Sequence, residues 1–423
     1  MASRVRRNLE SRPQQLALTD DLLEEIFLRI ACPADLARAS AACVGFRRLI
    51  TDRIFLRRYR SRHPPLLLGF LNIDVDKGFH AVEAPHPNAP AARAMANVSF
   101  DFLPPPSPKD WYISDVRDGL VLFRSSESIG GAVVVTGLVI CDPSSLSRRY
   151  LLLPPVPVDQ EGQGLQDFDA AFAPCEQEED DGKLFRVIST MYYNEKIVVL
   201  VFDSASGSWT IGTSASWDPL SLSNELIPCP WAFLMGQCYA YGCFYWKIDE
   251  QNKLLKLDIN RMEFSTVDLP PGHEEHDVVV VEAGEGMIGM FSNDPDAKFL
   301  NCYNGIRNKD QRGYEWQMRD VVPFPVDNVW ISDAKQGCVF LQGDSKVQDS
   351  EGTTVYSLDI KTLKFDMLAE MSCHFRGHPY FGFPPSIYET RRFSSYTRLI
   401  QYVSSYNLHL CSKFSKISDS SVC

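Results

Sequence analysis

The sequence predicts two parts: a small all-α N-terminal module of three or four short helices, and a large all-β region folded as a β-propeller of about six blades. Three observations predict it. The hydrophobic period changes sharply after His63-Pro64-Pro65, from near 3.6 residues to 2 or to short apolar runs. Two kinds of segment then recur between residues 66 and 385. The charge also divides, because residues 1–62 hold 13 Lys+Arg against 7 Asp+Glu while the remainder holds 29 against 47. A chain of 423 residues is too long for one ordinary core and suits one small and one large domain.

Residues 1–15 are polar and Arg-rich and read as a flexible leader. The helical module spans residues 16–62. Thr19, Asp20 and Asp21 offer oxygens to the orphan N–H groups of a helix start and charge suited to its dipole. Leu22, Leu23, Ile26, Phe27 and Ile30 then form one broad apolar stripe. Cys32-Pro33 stops that helix, and Pro33 fits the first turn of the next, lined by Leu36, Ala39, Ser40 and Cys43. Gly45 interrupts, and Phe46, Leu49 and Ile50 resume. Asp52 is placed to cap a last helix carrying Phe55, Leu56 and Tyr59. So short a module has little interior and leaves apolar surface for another protein to cover.

In the β region one recurring segment is a glycine before an apolar strand: Gly119-Leu-Val-Leu-Phe, Gly242-Cys-Phe-Tyr-Trp, Gly286-Met-Ile-Gly-Met-Phe and Gly337-Cys-Val-Phe-Leu. The other is a strand ending in Asp142, Asp203, Asp258 or Asp359, followed by a polar turn and often a Leu-Pro pair. Aspartate accepts hydrogen bonds from the backbone of the turn that follows it. A unit of roughly 40–60 residues with several strands suits a propeller blade, and a two-sheet sandwich with similar turn spacing is the competing reading. Convincing helical stretches are absent between residues 66 and 370. Acidic stretches at 159–164, 176–182 and 344–352 read as solvated loops, and the structure of the tail, 386–423, is left open.

Composition excludes several functions. Hydrophobic residues at 45% supply real cores, so a mostly disordered chain is excluded. An acidic main body argues against nucleic acid, whose phosphates need clustered cations. The 12 cysteines form no CxxC pair and fall singly in apolar stretches (Cys43, Cys141, Cys302, Cys338), which implies buried free thiols in a reducing compartment. No signal peptide or membrane-length apolar run is present, so a soluble cytoplasmic or nuclear protein is expected.

The helical stretch resembles an F-box. Leu18-Thr19-Asp20-Asp21-Leu22-Leu23-Glu24-Glu25-Ile26-Phe27-Leu28-Arg29-Ile30 is similar to its opening, Pro33–Ser40 continues it, and Cys43-Val44-Gly45-Phe46-Arg47-Arg48-Leu49-Ile50 resembles its close. Thr19 stands where the family usually has Pro, and Phe46 where it often has Trp. The remainder resembles plant F-box proteins of the F-box-associated propeller type at Asp118–Leu122, Val139–Pro143 and Pro379–Pro385. The resemblance implies a non-catalytic substrate receptor of a Skp–cullin–F-box ubiquitin ligase. Its helices would dock on a Skp-type adaptor, and through it on a cullin, while the propeller binds a protein target for degradation. Carried over by position, Leu18, Leu22, Leu23, Ile26, Leu36, Phe46, Leu49 and Ile50 form or support the adaptor-facing surface. Packing of the module's own core is the competing role for each. A protein-interaction scaffold outside any ligase is the second reading, and a propeller enzyme or small-molecule binder the third.

No enzymatic constellation emerges: GxSxG, GxxxxGK[ST] and HExxH are absent, and no cofactor or metal is expected. His273-Glu274-Glu275-His276 has too few ligands for a metal and reads as a solvated loop. Cys373-His374 with His378 reads as structural, and Gly284-Glu285-Gly286 as a turn. Target binding belongs to one face of the propeller, with Trp111, Trp217, Trp231, Trp246, Trp316 and Trp330 as candidate anchors.

Overall fold

A computed structural model of the chain describes residues 18–63, 65–74, 78–95, 98–105, 110–129, 132–143, 150–157, 164–174, 178–179, 182–183, 185–220, 234–294, 298–307, 314–344, 352–371 and 376–382. The leader and the tail lie outside them. The described residues form two compact units, one ending at His63 and the other beginning at Pro65.

The first unit has four helices: α1 (Asp20–Phe27), α2 (Pro33–Ala42), α3 (Val44–Ile50) and α4 (Arg53–Arg62). Asp52 Oδ1 accepts from Ile54 N at 2.9 Å and Phe55 N at 3.3 Å, capping α4. Pro33 occupies the first turn of α2. Thr19 is the N-cap of α1, but its side chain makes no capping bond. Phe27, Leu28, Leu36, Ile50, Phe55, Leu56 and Tyr59 are buried together as a small core.

The second unit is a six-bladed β-propeller. Its first strands, β1 (Leu66–Asn72) and β2 (Phe79–Ala81), precede α5 (Ala89–Ala92) and a 3-10 turn at Arg93–Met95. That helix, Ala89-Pro90-Ala91-Ala92, is one turn long and too short to leave a period in the sequence. Blade 1 is β3 (Tyr112–Arg117), β4 (Leu120–Ile129), β5 (Ala132–Cys141) and β6 (Tyr150–Leu152). Blade 2 uses β7 (Leu165–Ala173), β10 (Arg186–Tyr193), β11 (Lys196–Asp203) and β12 (Ser208–Ser216). Between its first two strands, β8 (Glu178–Glu179) and β9 (Gly182–Lys183) pair as a small hairpin where a loop was expected.

Blade 3 is β13 (Leu234–Ala240), β14 (Cys243–Ile248), β15 (Lys253–Asp258) and β16 (Glu263–Asp268). Blade 4 is β17 (Asp277–Glu282), β18 (Ile288–Asn293), β19 (Phe299–Arg307) and β20 (Tyr314–Pro323). Blade 5 is β21 (Trp330–Lys335), β22 (Cys338–Asp344), β23 (Thr353–Asp359) and β24 (Phe365–Met371). The last strand, β25 (Gly377–Gly382), pairs antiparallel with β1, from Leu66↔Gly382 to Asn72↔Gly377. Blade 6 is therefore assembled from both ends of the domain, which closes the ring and covers the apolar blade faces an open array would leave in water.

Local chemistry explains the repeats. Asp118-Gly119, Tyr241-Gly242 and Gln336-Gly337 are two-residue loops with positive φ at both positions, the type I′ geometry that matches strand twist. The aspartates cap the later turns. Asp203 accepts from Ala205 N, Asp258 from Asn260 and Arg261, and Asp359 from Lys361 and Thr362. Inner and middle strands read as apolar runs because blades cover both their faces, and every residue of β14 and β18 is buried. Where blades 5 and 6 meet, the Phe340 ring lies 5.7 Å from Phe70 and 6.1 Å from Phe381. Each such side chain contributes about 1.5–3 kcal/mol by leaving water.

Candidate functional site

Two surfaces qualify, one in each unit. In the helical module the eight residues singled out by sequence separate into three groups. Leu18, Leu22 and Ile26 are exposed at 53%, 53% and 46%: Leu22 and Ile26 are four residues apart on one face of α1, and Leu18 lies just before its cap, so the three form one exposed apolar ridge. Leu23, Phe46 and Leu49 are half-buried, and the Phe46 ring meets Phe27 edge-on at 5.0 Å. Leu36 and Ile50 are fully buried, so they act from beneath the surface as core.

Two exposed apolar residues escaped the sequence reading: Val44 at 85% and Ile54 at 70%. Each stands in the first turn of a short helix, just after a capping residue, where too few residues precede it to show a period. Cys43 is also exposed, contrary to its expected burial: its Sγ turns outward to accept from Phe46 N at 3.4 Å as the cap of α3. Beneath the ridge the helices are held by polar contacts. Tyr59 Oη donates to Ile30 O at 2.9 Å, His63 Nε2 lies 2.9 Å from Leu28 O, and Arg58 bridges Glu24 and Glu25.

The propeller surrounds a central channel of about 830 Å³, walled by the inner strands. Its lining exposes a repeat that the sequence reading missed. Tyr112-Ile113-Ser114-Asp115-Val116-Arg117 and Trp330-Ile331-Ser332-Asp333-Ala334-Lys335 are equivalent inner strands, each preceding one of the Gly turns. In both strands a register shift follows the isoleucine, and the aspartate accepts from the next residue's N–H at 2.7 Å.

These aspartates meet in the channel. Lys335 Nζ lies 2.7 Å from Asp115 Oδ1 and 3.6 Å from Asp333 Oδ2. Asp115 Oδ2 also accepts from Phe172 N at 2.8 Å, so one carboxylate joins blades 1, 2 and 5. Burial would raise the Asp115 carboxyl, but Lys335, Arg117 and His378 outweigh it and hold the group at about 2. Lys335 is correspondingly pushed up by Asp115 and Asp333 against its own burial. His378 Nδ1 lies 3.9 Å from Asp333, while burial pulls its pKa down. Around Asp115 the channel wall is thus built of charges already spent on one another.

Several other candidates are now placed. His273 is buried rather than solvated: its Nε2 lies 3.1 Å from Ser292 Oγ and its ring 4.4 Å from that of His276. The turn before β17 folds inward there because Asn252 Oδ1 accepts from His273 N at 2.7 Å. No group of metal-ligating side chains exists among the described residues. Cys373, His374 and Trp231 lie outside them. Trp111, Trp217 and Trp246 are core, whereas Trp316 and Trp330 are half-buried, and of these only Trp330 lines the channel. Burial pushes the Cys238 thiol up to about 12 and Cys302 and Cys338 to about 11, so these thiols are inert at neutral pH. Among the described residues no helix is long and apolar enough to cross a membrane.

Fold and channel define a six-bladed propeller preceded by a helical module. Residues 112–290, blades 1 to 3 and the start of blade 4, match the family model described as "F-box protein AT5G49610-like, beta-propeller". No curated protein matches the chain. Similar solved structures include YCF48 from Cyanidioschyzon merolae, at 10% identity over 62% of this chain and 70% of that one, with a TM-score of 0.36. The Nidogen/Laminin complex shows 10% identity over 66% and 86%, TM-score 0.34. An oligogalacturonate lyase from Vibrio parahaemolyticus shows 10% over 61% and 77%, TM-score 0.31. Likenesses this distant say nothing about the ligand or activity of this chain.

Proposed function

We propose that this protein is a non-catalytic substrate receptor of a Skp–cullin–F-box ubiquitin ligase. The helical module docks on a Skp-type adaptor, and the propeller captures a protein target, raising its effective concentration beside the transfer machinery. The observation that carries this reading is the ridge of Leu18, Leu22 and Ile26, left exposed on a module whose own core already uses Leu36 and Ile50. The F-box family match on the propeller supports it from the other unit. Leu23, Phe46 and Leu49 flank the ridge, and Val44 and Ile54 add to the exposed apolar surface.

The test is co-purification with a Skp adaptor. Leu23→Asp with Ile26→Asp should abolish it, since a buried charge in such an interface costs about 2 kcal/mol or more per anchor. Leu23 is half-buried, so Leu22→Asp with Ile26→Asp, both at exposed positions, tests the surface without disturbing the core. Unchanged adaptor binding by that folded double variant defeats the assignment. Adaptor capture without any cullin points instead to a scaffold outside the ligase.

A further inference from the structure

The channel has a mouth where the inner strands of blades 1, 4, 5 and 6 begin. Ile73 ties two of these starts together, its N–H donating to Arg376 O at 2.9 Å and its carbonyl accepting from Ile113 N at 3.0 Å. The equivalent aromatics of the inner-strand repeat stand here: Tyr112, 43% exposed, and Trp330, half-buried. Blade 6 separates them, so they flank the opening from two sides. Asp249, Glu275 and Asp277 complete this part of the lining.

Most cations of the channel hold other partners, although Lys247 also feels the charges of Asp249 and Asp277, and His276 lies between Glu275 and Asp277 in the same lining. Lys335 is consumed by Asp115 and Asp333, and Arg124 by Asp167, Asp169 and the Phe168 carbonyl. Lys247 is buried and donates to the carbonyls of Ile248, Gln251 and Glu274 at 2.6, 2.7 and 3.0 Å. The guanidinium of Arg117 lies 4.6 Å above the Tyr239 ring. Arg376, on the rim, is the one exposed cation of the lining among the described residues. Burial against the channel wall pushes the Asp277 carboxyl up, a shift the charge of Asp249 adds to and the Ile331 backbone, His276 and Lys247 only partly offset.

From this geometry we infer that the channel mouth takes a cationic side chain, an Arg or Lys from an extended basic segment of the target, with its charge drawn to Asp249 and Glu275 and its stem lying against Tyr112 and Trp330. Aromatic faces and carboxylates together favour guanidinium or ammonium groups, and an aliphatic stem suits a partly apolar channel. The balance of 29 basic against 47 acidic residues after residue 62 steers such a segment inward. This inference rests on the receptor reading and names its class of target.

The test uses the full chain and three fluorescein-labelled nonapeptides of equal length, rich in Arg, in Glu or in phosphoserine, followed by fluorescence anisotropy at about 0.3 M salt to suppress long-range attraction. The Arg peptide should bind, and the other two should not. Asp249→Lys with Glu275→Lys should weaken it about tenfold or more, and Trp330→Ala about fivefold, at unchanged melting temperature. Glu263→Lys with Glu315→Lys makes the same charge change on outer strands and should leave affinity within about threefold. Equal weakening by that control, preferential binding of the Glu or phosphoserine peptide, or no binding of the Arg peptide overturns the inference. Should Trp330→Ala disturb folding, Tyr112→Ala at its exposed position supplies the aromatic test. Adaptor co-purification of these variants should be unaffected, so failure at the mouth is distinguishable from failure of the receptor assignment.

Discussion

Replacing Lys335 with methionine tests how the ring is held around its channel. The ammonium lies 2.7 Å from Asp115, a residue 220 positions away and 7% exposed. After the change Asp115 keeps two backbone donors, Val116 N at 2.7 Å and Phe172 N at 2.8 Å, but loses its nearest cation. Breaking a buried ion pair from one side costs about 3–5 kcal/mol. An independent figure comes from the carboxyl itself, held at about 2 rather than 3.8. That displacement corresponds to about 2.5 kcal/mol of stability at neutral pH, part of it from Arg117 and His378. A loss of about 3 kcal/mol is therefore expected at pH 7.

The pH dependence carries the sign. A depressed carboxyl contributes fully above its unfolded value near 4, and its contribution fades as pH falls toward the folded value near 2. Guanidinium unfolding followed by tryptophan fluorescence and circular dichroism should thus show a gap between the wild-type protein and Lys335→Met that shrinks by about half from pH 7 to pH 3. Adding Asp115→Asn to Lys335→Met should recover part of the loss, because no uncompensated charge then remains buried. A single variant within about 0.5 kcal/mol of wild type, or a gap that does not move with pH, would refute the assignment of this pair as a closure contact.

Three further changes probe other parts. Gly69→Ala, at the register shift between β1 and β25, would place a Cβ 2.1 Å from His80 O and should cost about 3 kcal/mol or more, seen as early loss of protection of the β1 and β2 amides in hydrogen exchange. Gln336→Asn, an exposed residue at φ 52 before Gly337, should stabilise the propeller by about 0.5 kcal/mol, detected as a higher melting temperature. Tyr59→Phe removes the hydroxyl that donates to Ile30 O at 2.9 Å and should destabilise the helical module by about 1–1.5 kcal/mol, read from its own unfolding transition.

What was legible in the sequence was local. Asp52 before Ile54 and Phe55, Pro33 after Cys32, and the glycines at 119, 242 and 337 act within a few residues of themselves. Caps and tight turns obey short-range backbone sterics, and the spacing of the aspartates that end strands set the repeat of about one blade. The turn-capping aspartates at 203, 258 and 359 were legible for the same reason.

Tertiary structure alone decided which side of each stripe is covered and which charges meet. One apolar stripe of the module was visible in the sequence, but only the packing of α2 to α4 sends Leu36 and Ile50 inside while Leu18, Leu22 and Ile26 stay out. The Ile-Ser-Asp repeat was in plain sight, yet its meaning depends on pairing Asp115 with Lys335 and Phe172 across three blades. His273 looked like a loop residue until Asn252 and Ser292 drew it inward. A residue's neighbours in the chain set its backbone, but ring closure sets its neighbours in space, and charge, burial and exposure follow from the second.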